Sequence, residues 1–163
     1  MLKTLSDNEI DDLIRELKAI PNGLLPLTKL IERNKHRRRD FEVASATESG
    51  NQFVIAVRQS MLNPLDFSAI LGYKVPGSNA VFRLRRYNGS HFHTNQIEGT
   101  SLNDFHIHTA TERYQTRGLR EDAFAQVTSS HSSLETAIRA LLEDCGFNPP
   151  ALQASLFGST GSQ

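Results

Sequence analysis

Residues 41–58, FEVASATESGNQFVIAVR, decide the fold class. Phe41, Val43 and Ser45 share one parity; beyond the turn signal Glu48-Ser49-Gly50-Asn51, Phe53, Ile55 and Val57 alternate with Gln52, Val54, Ala56 and Arg58. Successive side chains of an extended strand point to opposite faces, so this period of two predicts two half-buried strands joined as a hairpin. Downstream the alternation returns. Phe67, Ala69, Leu71 and Tyr73 predict a third strand up to Val75, and Pro76-Gly77-Ser78-Asn79 a turn. Ala80, Phe82 and Leu84, alternating with Val81, Arg83 and Arg85, predict a fourth strand, which Asn88-Gly89 is expected to break.

Both flanks carry the helical period instead. Ser6-x-x-Glu9 has the form of a capping box, Ile10, Leu13, Ile14 and Leu17 form one apolar stripe, and Asp11, Asp12, Arg15, Glu16 and Lys18 lie outside it until Pro21-Asn22-Gly23 ends the helix. A second box, Ser132-x-x-Glu135, opens a helix whose stripe is Leu134, Ile138, Leu141 and Leu142 and whose stop is Gly146, with Pro149-Pro150 beyond. Between these, Leu27 to about Asn34 fits a short helix, and Leu119–Thr128 an irregular or helical link. The expected architecture is α+β: an N-terminal helical segment, an antiparallel sheet of about five or six strands from Phe41 to Tyr114, and a C-terminal helix packed on one face. One domain over residues 1–150 and a flexible tail over residues 151–163 are expected.

Eighteen basic residues balance eighteen acidic ones, so attraction to a polyanion has to come from local patches. The densest is Arg33-Asn34-Lys35-His36-Arg37-Arg38-Arg39, expected as a solvated loop or as a patch on nucleic-acid phosphates. A single cysteine, Cys145, excludes an internal disulfide, and its place in an apolar helical pattern fits packing better than nucleophilic chemistry. No signal-peptide pattern opens the chain and no run approaches the roughly 18 apolar residues of a membrane span. A cytoplasmic protein with no membrane association is expected.

Four of the six histidines fall in two His-x-His copies, His91-Phe92-His93 and His106-Ile107-His108. On a strand both imidazoles of each copy share one face while Phe92 and Ile107 point the other way. Paired as an antiparallel hairpin with His93 roughly opposite His106, across an exposed loop from Thr94 to Asp104, all four rings converge. Alternation continued through Tyr114 places Glu112 and Tyr114 on the same face, with Gly118 closing the strand, and Arg83 and Arg85 join them from the fourth strand.

Such a face suits three kinds of chemistry. General acid–base cleavage of RNA needs two groups that exchange protons near neutral pH, which imidazole does with its ordinary pKa of about 6.5. His93 and His108 are the expected pair, oriented by His106 or His91, with Tyr114 as a phosphate ligand or alternative acid and Arg83, Arg85 or Arg113 on the phosphate. No cofactor is required for that reaction. A divalent transition metal such as zinc is the second chemistry, held by His91, His93, His106 and His108 with Glu112 or Asp104. In the third, the histidines are ordinary strand residues hydrogen-bonded to Thr94, Thr109 or Glu112.

The doubled histidines invite comparison with the two-histidine phosphoesterases, but histidine stands here where their hydroxyl residue belongs and the two copies lie too close together. Over about Phe53–Phe147 the chain resembles instead a group of small uncharacterised bacterial and phage proteins, through Arg85-Arg86-Tyr87-Asn88-Gly89, His93-Thr94-Asn95, Phe105-His106-Ile107-His108 and a capped C-terminal helix. The resemblance implies a microbial setting. By architectural analogy with ribonuclease toxins of toxin–antitoxin pairs, the leading expectation is a metal-independent endoribonuclease or other phosphodiester-cleaving protein, with RNA bound through local basic patches. The other expectations are a metal-binding hydrolase and a non-enzymatic interaction protein with a protein partner, either antitoxin-like or a phage-encoded inhibitor.

Overall fold

The structure, a computed structural model, describes residues 3–147; the expected tail lies outside the described residues. Helix α1 (Asp7–Arg15) is followed by strands β1 (Ile31–Arg33), β2 (His36–Ala44), β3 (Gln52–Ser60), β4 (Phe67–Lys74), β5 (Val81–Asn95) and β6 (Thr100–Thr109). A short helix α2 (Glu112–Thr116), strand β7 (Ala125–Val127) and helix α3 (Leu134–Asp144) follow among the described residues. All seven strands form one antiparallel sheet in chain order, the topology that short connections between neighbours produce. The class is therefore the expected α+β, with a slightly larger sheet. Among the described residues no helix is long and apolar enough to cross a membrane.

Register puts the alternating residues to work. Phe41 faces Ile55 and Val43 faces Phe53 across β2–β3, and Ile55 faces Leu71 across β3–β4, so one face of the sheet is continuously apolar. Helix α3 packs against β4 and β5, with Ala137, Ile138 and Leu141 buried among Phe53, Leu71 and Leu84 in the single core cluster. Its N-cap is Ser133, one residue later than expected, whose hydroxyl accepts from the Thr136 N–H while Thr136 reaches back. The capping box of α1 is as read, on Ser6 and Glu9.

Four local expectations change. The segment expected as a helix from Leu27 holds β1, and a turn at Asn34-Lys35 returns the chain into β2 five residues before Phe41. Both turn residues have positive φ, 52° and 67°, the geometry of a tight two-residue hairpin turn. Asn is a common choice there and Lys is not, so the turn has a weak sequence signature. The basic run is thus a β-hairpin. Second, β5 passes through Asn88-Gly89 as one 15-residue strand, and β5 and β6 occupy most of the expected Thr94–Asp104 loop. Third, β6 stops at Thr109 because the Thr111 side chain accepts from the Tyr114 N–H and starts α2. Fourth, the expected link at Leu119–Thr128 contains β7, which pairs with β6.

Candidate functional site

Two one-residue insertions in β5 decide which side chains share the face opposite α3. Gly72 pairs with Arg83 but Leu71 with Arg85, so Leu84 is an extra residue and the parity of the strand changes there. Arg85 consequently turns to the helical side, where its guanidinium lies 3.3 Å from the Tyr87 hydroxyl and 3.8 Å from Asp144 of α3. Arg86 takes the open-face position expected of Arg85. A second bulge between Asn88 and His91 restores the parity, so that Arg86, Asn88, His91 and His93 line up on one face. Across the strand boundary Arg86 pairs with His108, Asn88 with His106 and His91 with Asp104; His93 faces Leu102, not His106.

The four imidazoles nevertheless converge. Ring centroids lie 4.8 Å apart for His91–His106, 5.9 Å for His93–His106, 4.7 Å for His93–His108 and 5.0 Å for His106–His108. His106 and His108 are buried, His93 is half-buried and His91 is exposed. Three rings are fixed by backbone carbonyls: His93 Nε2 to Ala123 at 2.8 Å, His106 Nδ1 to Asp104 at 2.7 Å and His108 Nδ1 to Asp122 at 2.8 Å. A carbonyl only accepts, so each of these nitrogens carries the proton and the opposite ring nitrogen keeps its lone pair. The Nε2 of His106 is buried without a partner. Asn95 closes the far end, its side-chain amide donating to the Ala125 carbonyl and accepting the Ala125 N–H, both at 2.8 Å.

Beside the rings sits a carboxylate that sequence reasoning missed. Asp122 is fully buried, with Arg120 Nε at 2.9 Å, Arg86 Nε at 3.2 Å and Arg83 Nε at 3.6 Å. Glu121 also lies 3.4 Å from Arg83, so three guanidiniums stand against two carboxylates and a local excess of positive charge remains. Burial lowers Arg86 to about 10, which keeps it charged at neutral pH. Burial, reinforced by Arg86 and the neighbouring rings, pushes His108 down to about 2; burial also takes His106 to about 4. A cleft of about 200 Å³ opens here, lined by Arg86, Asn88, His91, His93, His108 and Arg120.

Other expected site residues lie elsewhere. Tyr114 is the buried residue of α2 and donates to Glu98 at 2.6 Å, and Arg113 pairs with the same carboxylate at 2.6 Å. Glu112 caps nothing on the histidine face; its N–H donates to Asp7. Glu112 and Tyr114, expected on that face, left it when the strand gave way to α2, which also holds Arg113. Arg83 stays on it, beside Glu121 and Asp122. A zinc ion needs three or four donors about 2 Å from one point. Among the described residues no three His, Cys, Asp or Glu side chains are arranged that way, so the donor set does not fit the expected metal. Arg86 was within reach of the sequence, since it adjoins Arg85, but a bulge leaves no mark in an alternating pattern. Asp122 and Arg120 lay in a segment without periodicity.

The two buried rings make folding sensitive to acid. Unfolded histidine takes up its proton near pH 6.5, whereas His106 resists to about 4 and His108 to about 2. Stability is therefore complete above about pH 6.5 and falls as pH drops from there through about 4, at up to about 1.4 kcal/mol per pH unit for each ring. Urea unfolding between about pH 7.5 and 4.5 should show this decline, and His106→Gln should make it shallower. Parallel pH profiles for the two proteins would refute the assignment.

No curated protein and no solved structure matches the chain. The family model that does match spans residues 5–146, from the cap of α1 to the stop of α3 and across the whole histidine cleft, and on that extent the chain belongs to a family of unknown function, DUF6978.

Proposed function

We propose that this protein cleaves RNA phosphodiester bonds without a metal, in the manner of a small microbial endoribonuclease. The observation that carries the reading is one cleft in which two accessible imidazoles, His91 and His93, meet two guanidiniums, Arg86 and Arg120. His93 is held through its Nε2 proton by the Ala123 carbonyl, which leaves Nδ1 as the base for a ribose 2′-hydroxyl. The 2′-oxygen attacks phosphorus, the bond to the 5′-oxygen breaks, and His91 supplies the proton that the departing oxygen takes. Arg86 and Arg120 donate to the non-bridging oxygens as charge develops on them. His108, expected from sequence as one of the proton carriers, is buried and neutral; with His106 it orients the accessible pair.

The test is cleavage of labelled single-stranded RNA in EDTA. The parent protein should cut it, with His93→Ala and His91→Ala each slowed at least about 100-fold. Absence of cleavage by the parent, or unchanged rates in both variants, ends the reading. A second reading, a non-enzymatic interaction protein, draws on the β3–β4 connection, where Met61, Leu62 and Leu65 are 47%, 74% and 45% exposed. It requires the histidine variants to retain full activity in the cell while substitutions at Leu62 and Leu65 abolish it.

A further inference from the structure

We infer that the open face of the sheet is a track for single-stranded RNA leading from the β1–β2 hairpin into the histidine cleft. The inference rests on the reading of that cleft as a site for RNA phosphodiesters and names the form of substrate it takes. Three hollows adjoin on this face. The largest, about 590 Å³, lies over β1–β3 and is bordered by Arg33, His36, Arg38, Asp40 and Arg58. The next, about 280 Å³, shares Arg38 and Asp40 with it and reaches Arg83 and Arg120. Arg120 in turn borders the histidine cleft, so the three lie in series, each sharing a wall with the next.

The lining has the composition an unpaired strand needs. Val54, Ala56 and Ile70 form a half-buried apolar floor in the middle hollow, suited to riboses and unstacked bases, while arginines stand along both ends for phosphates. A duplex turns its bases inward and leaves such a floor without a partner. The charge is local, because the chain as a whole is neutral. Arg83, Arg86 and Arg120 face two carboxylates, Asp122 and Glu121, Arg38 pairs with Asp40 at 3.1 Å on the exposed rim, and Arg58 has only a 3.8 Å approach to Asp66. From β1 to β6 the face measures about 24 Å at roughly 4.8 Å per strand, room for on the order of five nucleotides. The open-face members of the basic run, Arg33, His36 and Arg38, which the cleft alone leaves unused, become the entry of this path.

Fluorescence anisotropy with 2′-O-methyl oligouridylates of three and twelve nucleotides separates binding from cleavage, since the methyl group blocks the attacking oxygen. The twelve-mer should bind at least about tenfold tighter than the three-mer. A double variant, Arg38→Gln with Arg58→Gln, should weaken the twelve-mer roughly tenfold, make its logarithmic salt slope shallower by about 1.4, and change the three-mer less than about twofold. Equal affinity for the two lengths, equal affinity for a duplex of the same length, or an unaffected double variant with intact circular dichroism would overturn the track. Length-dependent binding without cleavage of unmodified RNA would remove the catalytic reading and leave the track standing. Cleavage of a dinucleotide without any length dependence would do the reverse.

Discussion

Replacing Lys18 by Met should cost about 3–5 kcal/mol of stability, a large part of the total for a domain of this size. Lys18 is completely buried, and the three N–H groups of its ammonium are shared among the carbonyls of Leu13 at 2.8 Å, Ile14 at 2.9 Å, Glu16 at 2.7 Å and Cys145 at 2.8 Å. The first three follow from the end of α1 at Arg15, where no further turn offers N–H groups; the fourth is the C-cap of α3. One cation thus serves the negative ends of two helices. The Phe53 ring lies 4.6 Å from Nζ, and the Lys18 N–H donates to Gly146 at 2.9 Å, so the residue is fixed from both ends. Burial lowers its pKa to about 8, with Cys145 and Glu16 acting the other way, and it stays protonated at neutral pH. Methionine fills much of the same volume but takes the donor from four oxygens, of which those of Ile14 and Cys145 are in buried pairs and cost about 1–3 kcal/mol each. Those of Leu13 and Glu16, partly exposed, turn to water at little cost. Equilibrium urea unfolding at neutral pH measures the loss directly. A change below about 1 kcal/mol would mean that the carbonyls find other partners and that the lysine is packing alone.

Lys18 also shows where the sequence stops being legible. On the helical wheel it falls with Asp11, Asp12, Arg15 and Glu16 on the polar side, and Leu17 on the apolar stripe. The helix ends at Arg15, so the wheel no longer applies to residues 16–18: Leu17 is 51% exposed and Lys18 is buried. Periodicity reads a face only while the element lasts. It read the strands around Phe53–Val57 and Phe67–Tyr73 because nothing interrupts them, and it read α3 for the same reason. That His91 and His93 share a face, and His106 and His108 share one, was legible because each pair spans a single residue; that the two pairs meet depends on the bulge between Asn88 and His91, which was not. Arg85 and Arg86 exchanged places because one inserted residue reverses every later assignment. Glu112, Arg113 and Tyr114 were lost to a competing local signal, the Thr111 hydroxyl, which stops the strand and starts a helix. The buried Asp122 depends on contacts with β5 that no local pattern encodes.

Gly89→Ala should cost about 3 kcal/mol and disperse the histidine cluster in the same step. Gly89 sits inside the second bulge of β5, directly against the β3–β4 connection. A Cβ built there falls on the carbonyl oxygen of Leu65 and comes within 2.8 Å of its carbonyl carbon and 3.1 Å of the Phe67 nitrogen. Side chains can turn away from a new methyl group, but these are backbone atoms at the start of β4, so the bulge itself has to move. That bulge is what carries His91 and His93 back onto the face of Arg86 and Asn88. Its loss therefore separates the two accessible rings from His106, His108 and the arginines. Gly99→Ala is the control: Gly99 lies in the β5–β6 turn with φ of 71° and open space around its Cα. The methyl group there should cost only about 1 kcal/mol for the left-handed backbone and leave the cluster in place. Urea unfolding gives the two stabilities. Nitrogen-15 spectra of the imidazoles report the cluster, because the protonated nitrogens held by Asp104, Asp122 and Ala123 should keep their signals in Gly99→Ala, and the one held by Ala123 should lose its signal in Gly89→Ala. A Gly89→Ala protein of parental stability with all three signals intact would show that the bulge has slack, and that the convergence of the rings owes nothing to the tight passage of β5 beneath Leu65.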